Sequence, residues 1–445
     1  MKYKFLLSVV IAFFPVFTIF AQSVQPTPTP TRPRVIVVGS NSNTVTYTPT
    51  PTPTPVFTPT PAKVIVVTNT LPSPTPTPIA TPRPAFTPTP TPVTTIPTAY
   101  PTNLNYKLMS LGQLKNKIEE AKRFMQSRPM PTALTESFLV TDIVRVAFYD
   151  WKTAKIDFVT LTKVGFLTTG AEIPTLSANG KNVTIRIIRA NGVNTPVTIY
   201  DTDNQAHTPL VVQYPVERNG SYYETAYYIS THPGVVTPEV VTAGRMYVRN
   251  IIDVARAKLQ EKGIFISPQV TDIAERLATV EHVDHLRFRT EYHPNIFNDI
   301  FTLYAMNEGT TYRYSVSSAG AGGMVQMIPS TYFMIRSRYY NVGLMPDFVE
   351  GMRNHVNASE AMLLYMQMTW NDIGSNETVI NALANGTATQ AEIMAAGYNS
   401  NPSRLPAYIR RGGSNWRALI PNETKIYLQI YSSINQYVPM TPRVK

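Results

Sequence analysis

A long run of proline and threonine limits what the first quarter of this chain can fold into. It covers residues 22–102 and contains more than half of the 39 prolines in the 445-residue sequence. Proline fixes φ and removes a backbone hydrogen-bond donor, so such a run builds no regular elements and buries no core. We expect residues 22–102 to form a disordered, extended Pro/Thr-rich spacer, with the folded part of the chain after it.

The segment before the spacer has the features of a secretory signal peptide. Residues 1–21, MKYKFLLSVVIAFFPVFTIFA, start with two lysines, continue with an apolar stretch and end at Ala21, a small residue suited to cleavage. The alternative is an uncleaved N-terminal anchor, although the apolar stretch is short for a membrane span and Pro15 disfavours a helix there. Both interpretations predict an exported protein of the periplasm or cell envelope, anchored if the segment is retained.

Cysteine content and charge exclude several classes of protein. The chain has no cysteine, so it has no disulfide, no thiolate metal site, no cysteine nucleophile and no lipidated cysteine. Its formal net charge is +11. In an intracellular protein this excess would suggest nucleic acid as a partner. Behind an export signal, an anionic polymer of the cell envelope is the better partner, and no nucleic acid is expected.

The hydrophobic period changes twice after the spacer. Residues 103–138 predict an amphipathic helical segment with Ser110 as a cap and apolar residues at helical spacing: Leu114, Ile118, Ala121 and Met125. Residues 139–235 contain six runs rich in Val, Ile, Thr and Tyr, separated by turn signals such as Asn191-Gly192, which predict a small antiparallel β domain. This domain carries no chemical motif. It and the spacer are the segments through which envelope proteins could bind.

Residues 236–445 are predicted to be mostly α-helical. Thr237 and Pro238 start one helix and Gly263 ends it, while Ser267 caps a second helix expected to run through residues 269–288. The predicted fold class is therefore α+β, with a mostly α C-terminal domain preceded by the small antiparallel β domain and the disordered spacer.

One lone carboxylate is the strongest candidate for chemistry. Glu308 is the only acidic residue between Asp299 and Asp347, and it lies between a largely apolar helix and a loop of Ser, Ala and Gly. A carboxyl group surrounded by apolar side chains prefers its neutral form, so we expect a raised pKa and a general acid near neutral pH. A phosphate-binding loop is excluded because no lysine follows the glycines and no strand precedes them.

Three segments of the C-terminal domain resemble the soluble lytic murein transglycosylases. Glu308 together with residues 317–331, SSAGAGGMVQMIPST, is similar to the family pattern E-S-x-F-x-P-x-A-x-S-x-x-G-A-x-G-L-M-Q-x-M-P-x-T. Residues 396–402, AGYNSNP, resemble the A-Y-N-A-G-P segment, and residues 421–427, PNETKIY, resemble P-x-E-T-x-x-Y. The segments occur in the family order. Gly309 stands where the family has Ser, and the spacer and β domain have no counterpart in the pattern.

The resemblance implies a lysozyme-like fold and a peptidoglycan lytic transglycosylase that uses no cofactor. Glu308 would act alone as catalytic acid and base on the β-1,4 bond between N-acetylmuramic acid and N-acetylglucosamine, leaving a 1,6-anhydro end. The implied substrate-binding residues are Ser317, Gln326, Tyr398 and Asn399, and the implied cleft-lining or structural residues are Ser318, Glu423 and Tyr427.

Three alternatives stay open: a metal site, a non-catalytic protein, and a true hydrolase on the same scaffold. The first is a metal site among residues close in sequence, namely Glu281, His282, Asp284, His285 and His293; ordinary helix-end polar contacts are favoured over it, and no metal is predicted. The second belongs to another functional class: a non-catalytic peptidoglycan-binding or envelope-assembly protein with a degenerate lysozyme-like cleft.

Overall fold

The computed structural model describes residues 106–128, 140–218, 220–317 and 319–444. The predicted signal peptide, the predicted spacer and Ser318 lie outside the described residues. All described residues belong to one compact unit that combines a curled antiparallel sheet with helices. The α+β class is therefore confirmed, while the predicted domain boundaries remain predictions. In the described ranges, no helix combines the length and apolar character that a membrane crossing requires.

The first helix, α1 (Leu111–Gln126), follows its predicted signals. The Ser110 side chain accepts a hydrogen bond from the backbone N–H of Gln113, and the Gln113 side chain accepts one from the backbone N–H of Ser110, so two otherwise unpaired donors are satisfied at the helix start. The predicted apolar stripe of Leu114, Ile118, Ala121 and Met125 is buried. It packs in a core cluster that also contains residues of the sheet.

Seven strands in the described residues form the sheet: β1 (Ile143–Asp150), β2 (Lys155–Thr162), β3 (Glu172–Leu176), β4 (Asn182–Ile187), β5 (Val197–Asp201), β6 (Ala206–Arg218) and β7 (Ser221–Tyr228). The order is β2-β1-β6-β5-β4-β3, and β7 also pairs with β6; every pairing is antiparallel. Six of the strands confirm the six predicted runs. Strand β3 was not predicted; it is a short edge strand that contains Pro174 and pairs with β4.

The helices after the first are α2 (Lys163–Phe166), α3 (Pro238–Glu261), α4 (Pro268–Val280), α5 (His285–Thr290), α6 (His293–Asn307), α7 (Pro329–Arg338), α8 (Phe348–Arg353), α9 (His355–Gly374), α10 (Glu377–Ala384), α11 (Gln390–Asn399), α12 (Leu405–Gly412) and α13 (Asn422–Tyr437). The predicted starts at Thr237 and Ser267 are confirmed, since both side chains cap their helices. The single helix predicted over residues 269–288 is wrong. The chain turns after Val280 and restarts because Asp284 accepts the backbone N–H of Arg287 and caps α5.

Helix α6 joins two hydrophobic cores. Its residues Ile300 and Tyr304 belong to the core of the helical part, whereas Ala305 and Met306 belong to the cluster shared with α1, α3 and one face of the sheet. The other face of the sheet closes over its own apolar cluster. The C-terminal end of α6 is thereby placed where the sheet, α1 and the helical part meet.

We predict that Gly244→Ala lowers stability. A Cβ added at Gly244 on α3 would lie 1.8 Å from the carbonyl oxygen of Phe301 on α6, so the two helices would have to separate. Overpacking of a core costs about 1–3 kcal/mol, and we expect at least this much because the obstacle is backbone. The measurement is the urea midpoint of unfolding. The control is Gly112→Ala on α1, where a new Cβ meets nothing within 4 Å. Equal midpoints for the two variants would contradict the prediction.

Candidate active site

The loop between α6 and α7, residues 308–328, is called here the signature loop. It contains Glu308, Tyr312 and Gln326, which have φ values of 42°, 58° and 45°. Residues other than glycine rarely adopt positive φ, and such conformations persist only where the surroundings impose them, often at functional sites. The shape of this loop is therefore held by contacts with the rest of the protein.

Two histidines anchor the signature loop from outside. His355 Nε2 donates to the carbonyl oxygen of Thr311 at 2.9 Å, and its Nδ1 accepts from the Tyr247 hydroxyl at 2.9 Å. His282 Nε2 donates to the carbonyl oxygen of Met324 at 2.9 Å. Burial lowers the pKa of His355 and lowers that of His282 to about 3. Both rings are therefore neutral near pH 7, which leaves one nitrogen as donor and the other as acceptor.

One small residue of the loop, Gly323, provides room for the protein's own backbone. Gly323 has a φ of 66°, and a Cβ there would lie 2.2 Å from the carbonyl oxygen of Met352 in α8. The Ser317 hydroxyl accepts the backbone N–H of Ala321 at 2.9 Å. The Gln326 side-chain amide donates to the carbonyl oxygen of Gly323 at 2.8 Å. The hydrogen bonds of Ser317 and Gln326 thus hold the loop in shape, and their contacts with substrate remain predictions.

The surroundings of Glu308 differ from those predicted. The expectation that apolar side chains surround this carboxyl group is wrong, because its side chain is 56% exposed and Oε1 lies 2.6 Å from the ammonium group of Lys115 on α1. The apolar residues before Glu308 point into the two cores joined by α6, so they do not enclose the residue that follows the helix. Lys115 is 193 residues away in sequence, and no local pattern could reveal it.

Residues from the first two resembling segments line one small open pocket. Its lining includes Gln326 and Thr331 from the first segment and Tyr398 and Ser400 from the second, together with Tyr365 of α9. The Tyr398 hydroxyl donates to the carbonyl oxygen of Val325 at 2.7 Å, which ties α11 to the signature loop. The two segments are thus in direct contact.

The other predicted site residues lie deeper. Asn399 is 5% exposed, and its side-chain oxygen accepts from the Thr424 hydroxyl at 2.8 Å, so it joins α11 to α13 rather than lining the pocket. Tyr427 is buried and its hydroxyl donates to Glu281 Oε1 at 2.5 Å. Glu423 lies in the first turn of α13, partly exposed. Tyr427 therefore has a structural position, one of the two roles expected for it.

Glu281 is the titratable group whose importance the sequence did not reveal. Burial raises its pKa from 4.5 to about 8, the hydrogen bond from Tyr427 opposes this shift, and the charge of Glu423 adds to it. Near pH 7 the side chain is therefore mostly a neutral acid. Along the sequence it stands out only as a neighbour of several histidines, and its buried partner Tyr427 is 146 residues away.

The side chains of the histidine-rich cluster contact different parts of the structure. His282 contacts the signature loop, His293 Nδ1 lies 2.7 Å from the Ser433 hydroxyl, and Asp284 caps α5. Within the ranges that the structure describes, no three His, Cys, Asp or Glu residues are placed to share a metal ion. These contacts are the helix-end polar interactions favoured over a metal site.

We predict that Glu281→Gln flattens the pH dependence of stability. Because the pKa of Glu281 is raised in the folded state, its contribution is fully present below about pH 4.5 and is lost as the pH rises through about 8. At about 1.4 kcal/mol per pKa unit, the loss is on the order of a few kcal/mol. Glutamine cannot ionise. Thermal unfolding from pH 4.5 to 8.5 should fall more steeply for the original protein than for the variant, and parallel curves would refute the assignment.

Comparisons with known proteins give no relative to set beside this geometry. No family model, no curated protein and no solved structure matches the chain. Inference about function therefore rests on the motif residues and their contacts.

Proposed function

We propose that this chain is an exported peptidoglycan lytic transglycosylase whose C-terminal catalytic domain is lysozyme-like. The observation that carries the proposal is the meeting of the first two resembling segments at one pocket, where Tyr398 donates to Val325 O and lines the surface beside Gln326. Chance similarity of short segments does not require them to meet in space. The third segment contacts the second through the hydrogen bond from the Thr424 hydroxyl to the side-chain oxygen of Asn399.

Glu308 would supply the proton chemistry. As the acid, it protonates the glycosidic oxygen while the bond to the muramic acid C1 breaks, and the substrate's N-acetyl group stabilises the positive centre. The resulting carboxylate then takes the proton of the sugar's 6-hydroxyl as that oxygen attacks C1, which closes the 1,6-anhydro ring and restores the acid. Because attack is intramolecular, one carboxyl group can serve both steps.

The geometry around Glu308 sets a condition for this mechanism. The side chain is accessible to a large substrate, yet it is ion-paired with Lys115. The ammonium group of Lys115 occupies Oε1 of Glu308, so Lys115 must move away before this oxygen can contact a glycosidic oxygen. Exposed ion pairs contribute only about 0–1 kcal/mol, so binding of the substrate can separate this one at little cost.

The same ion pair favours a second candidate function. A non-catalytic peptidoglycan-binding or envelope-assembly protein would keep the cleft while its former acid stays paired with Lys115. The net charge of +11 suits both candidates, because the peptide stems of peptidoglycan carry carboxylates and attraction to them weakens as salt rises. In either case we propose that the protein acts in the periplasm or cell envelope, in contact with glycan strands.

Glu308→Gln should abolish cleavage and leave binding to sacculi intact. Loss of a positioned acid/base lowers rates by about a hundredfold to ten-thousandfold. The measurement is chromatography and mass analysis of fragments released from purified sacculi. The matched control is Glu350→Gln, since Glu350 is 50% exposed and ion-paired with Arg353 at 2.8 Å on the surface.

The chemical nature of the released ends separates the candidates. The original protein and the Glu350→Gln control should both release fragments with 1,6-anhydro ends. Reducing ends would identify a hydrolase, and a complete absence of soluble fragments would favour the non-catalytic protein. Normal cleavage by Glu308→Gln would show that Glu308 is not the acid.

A further inference from the structure

Lys115 belongs to a part of the chain that the motif resemblance does not cover. It lies on α1, ahead of the sheet, and its ammonium group is 2.6 Å from Glu308 Oε1. Its neighbour Leu114 is buried in the core cluster that contains Ala305 and Met306 near the end of α6. The packing of α1 therefore fixes the base of Lys115 beside Glu308, while its charged end stays accessible, with 46% of the side chain exposed.

The other lysines of α1 that form ion pairs find their partners on the same helix. Lys117 pairs with Glu120 at 2.7 Å and Lys122 pairs with Glu119 at 2.8 Å. These pairs would be present in an isolated helix of this sequence. Lys115 differs because its anionic partner is the candidate catalytic carboxylate, in another part of the chain.

An ammonium group in this position can exchange one carboxylate for another. Both members of the pair are about half exposed, so water and salt screen their attraction and the pair contributes little stability. A carboxylate that a bound glycan strand brings close to Glu308 would compete for the same ammonium group. No covalent bond changes in this exchange, and the carboxylate of Glu308 is left without its cationic partner.

We propose that Lys115 is a specificity-determining residue that releases Glu308 when it binds a carboxylate of a peptide stem on the glycan strand. This inference rests on the proposed function and adds a preference within it. Binding of strands that carry acidic peptides separates Lys115 from Glu308. Binding of strands without peptides leaves the two residues ion-paired. The preference therefore comes from α1, outside the segments that resemble the transglycosylases.

A binding experiment tests the exchange without relying on turnover. The ligands are a N-acetylglucosaminyl-N-acetylmuramyl disaccharide, the same disaccharide with an acidic tetrapeptide, and a third form in which the peptide carboxylates are amidated. Calorimetry should show that the original protein binds the acidic form severalfold more tightly than the other two. Lys115→Met, which keeps side-chain length and helix propensity, should bind all three about equally. Lys117→Met, the matched control, should keep the preference.

Cleavage rates supply the second arm. On sacculi the original protein should be faster than on glycan strands stripped of peptide by an amidase. Lys115→Met should cleave the stripped strands severalfold faster than the original protein does, because Glu308 is no longer paired. Circular dichroism and thermal unfolding check that α1 remains folded in the variant.

The failure of this inference differs from the failure of the proposed function. If Lys115→Met keeps the original preference for the acidic ligand, or gains nothing on stripped strands while Glu308→Gln is inactive, the role of Lys115 is refuted and the transglycosylase stands. If Glu308→Gln cleaves normally, or no anhydro ends form, the proposed function fails whatever Lys115 does. Equal binding of the acidic and amidated forms by the original protein also refutes the exchange.

Discussion

The position of the candidate acid depends on how helix α6 is fixed at its C-terminal end. Asn307, the last residue of α6, is 7% exposed, and its side-chain amide bonds both backbone groups of Ile229. It accepts the N–H at 2.9 Å and donates to the carbonyl oxygen at 2.8 Å. A buried amide that satisfies two buried backbone groups is costly to displace, because each group would lose its partner. Glu308 follows directly, so the junction of helix and sheet sets where its backbone lies.

Buried and half-buried polar side chains hold the rest of the site in place. His355 and His282 hold the signature loop at Thr311 and Met324, and the Tyr398 hydroxyl holds it at Val325 O. Each of these bonds has a backbone carbonyl as acceptor. The loop can therefore adopt its positive-φ conformations at Glu308 and Gln326 without relying on glycine at those positions.

The sequence predicted the elements whose signals are local. The cap at Ser110, the apolar stripe of α1, the starts of α3 and α4 and six strands all follow from spacing or from the preference of single residues, and all are confirmed. The break between α4 and α5 was missed because the apolar period continues across it, although α4 ends at Val280 and Asp284 caps the start of α5.

The candidate site was less predictable because its electrostatics come from distant residues. Motif spacing placed Glu308 and Gln326 on one loop, but neither the pairing of Glu308 with Lys115 nor the hydrogen bond between Glu281 and Tyr427 leaves a trace at short sequence separation. A residue's neighbours along the chain gave a poor account of its surroundings. For Glu308 these neighbours predicted apolar surroundings, whereas in the structure its carboxylate is paired with the ammonium group of Lys115.

The shared core of α1, the sheet and α6 has a consequence for how this protein can be divided. A fragment starting near residue 236 would contain every residue of the motif resemblance, yet Ala305 and Met306 would lose their cover from Leu114, Ile118 and the sheet. Asn307 would lose both bonds to Ile229. The helical part is therefore unsuited to transfer into another protein on its own. A fusion boundary placed before α3 would expose an apolar face beside Glu308.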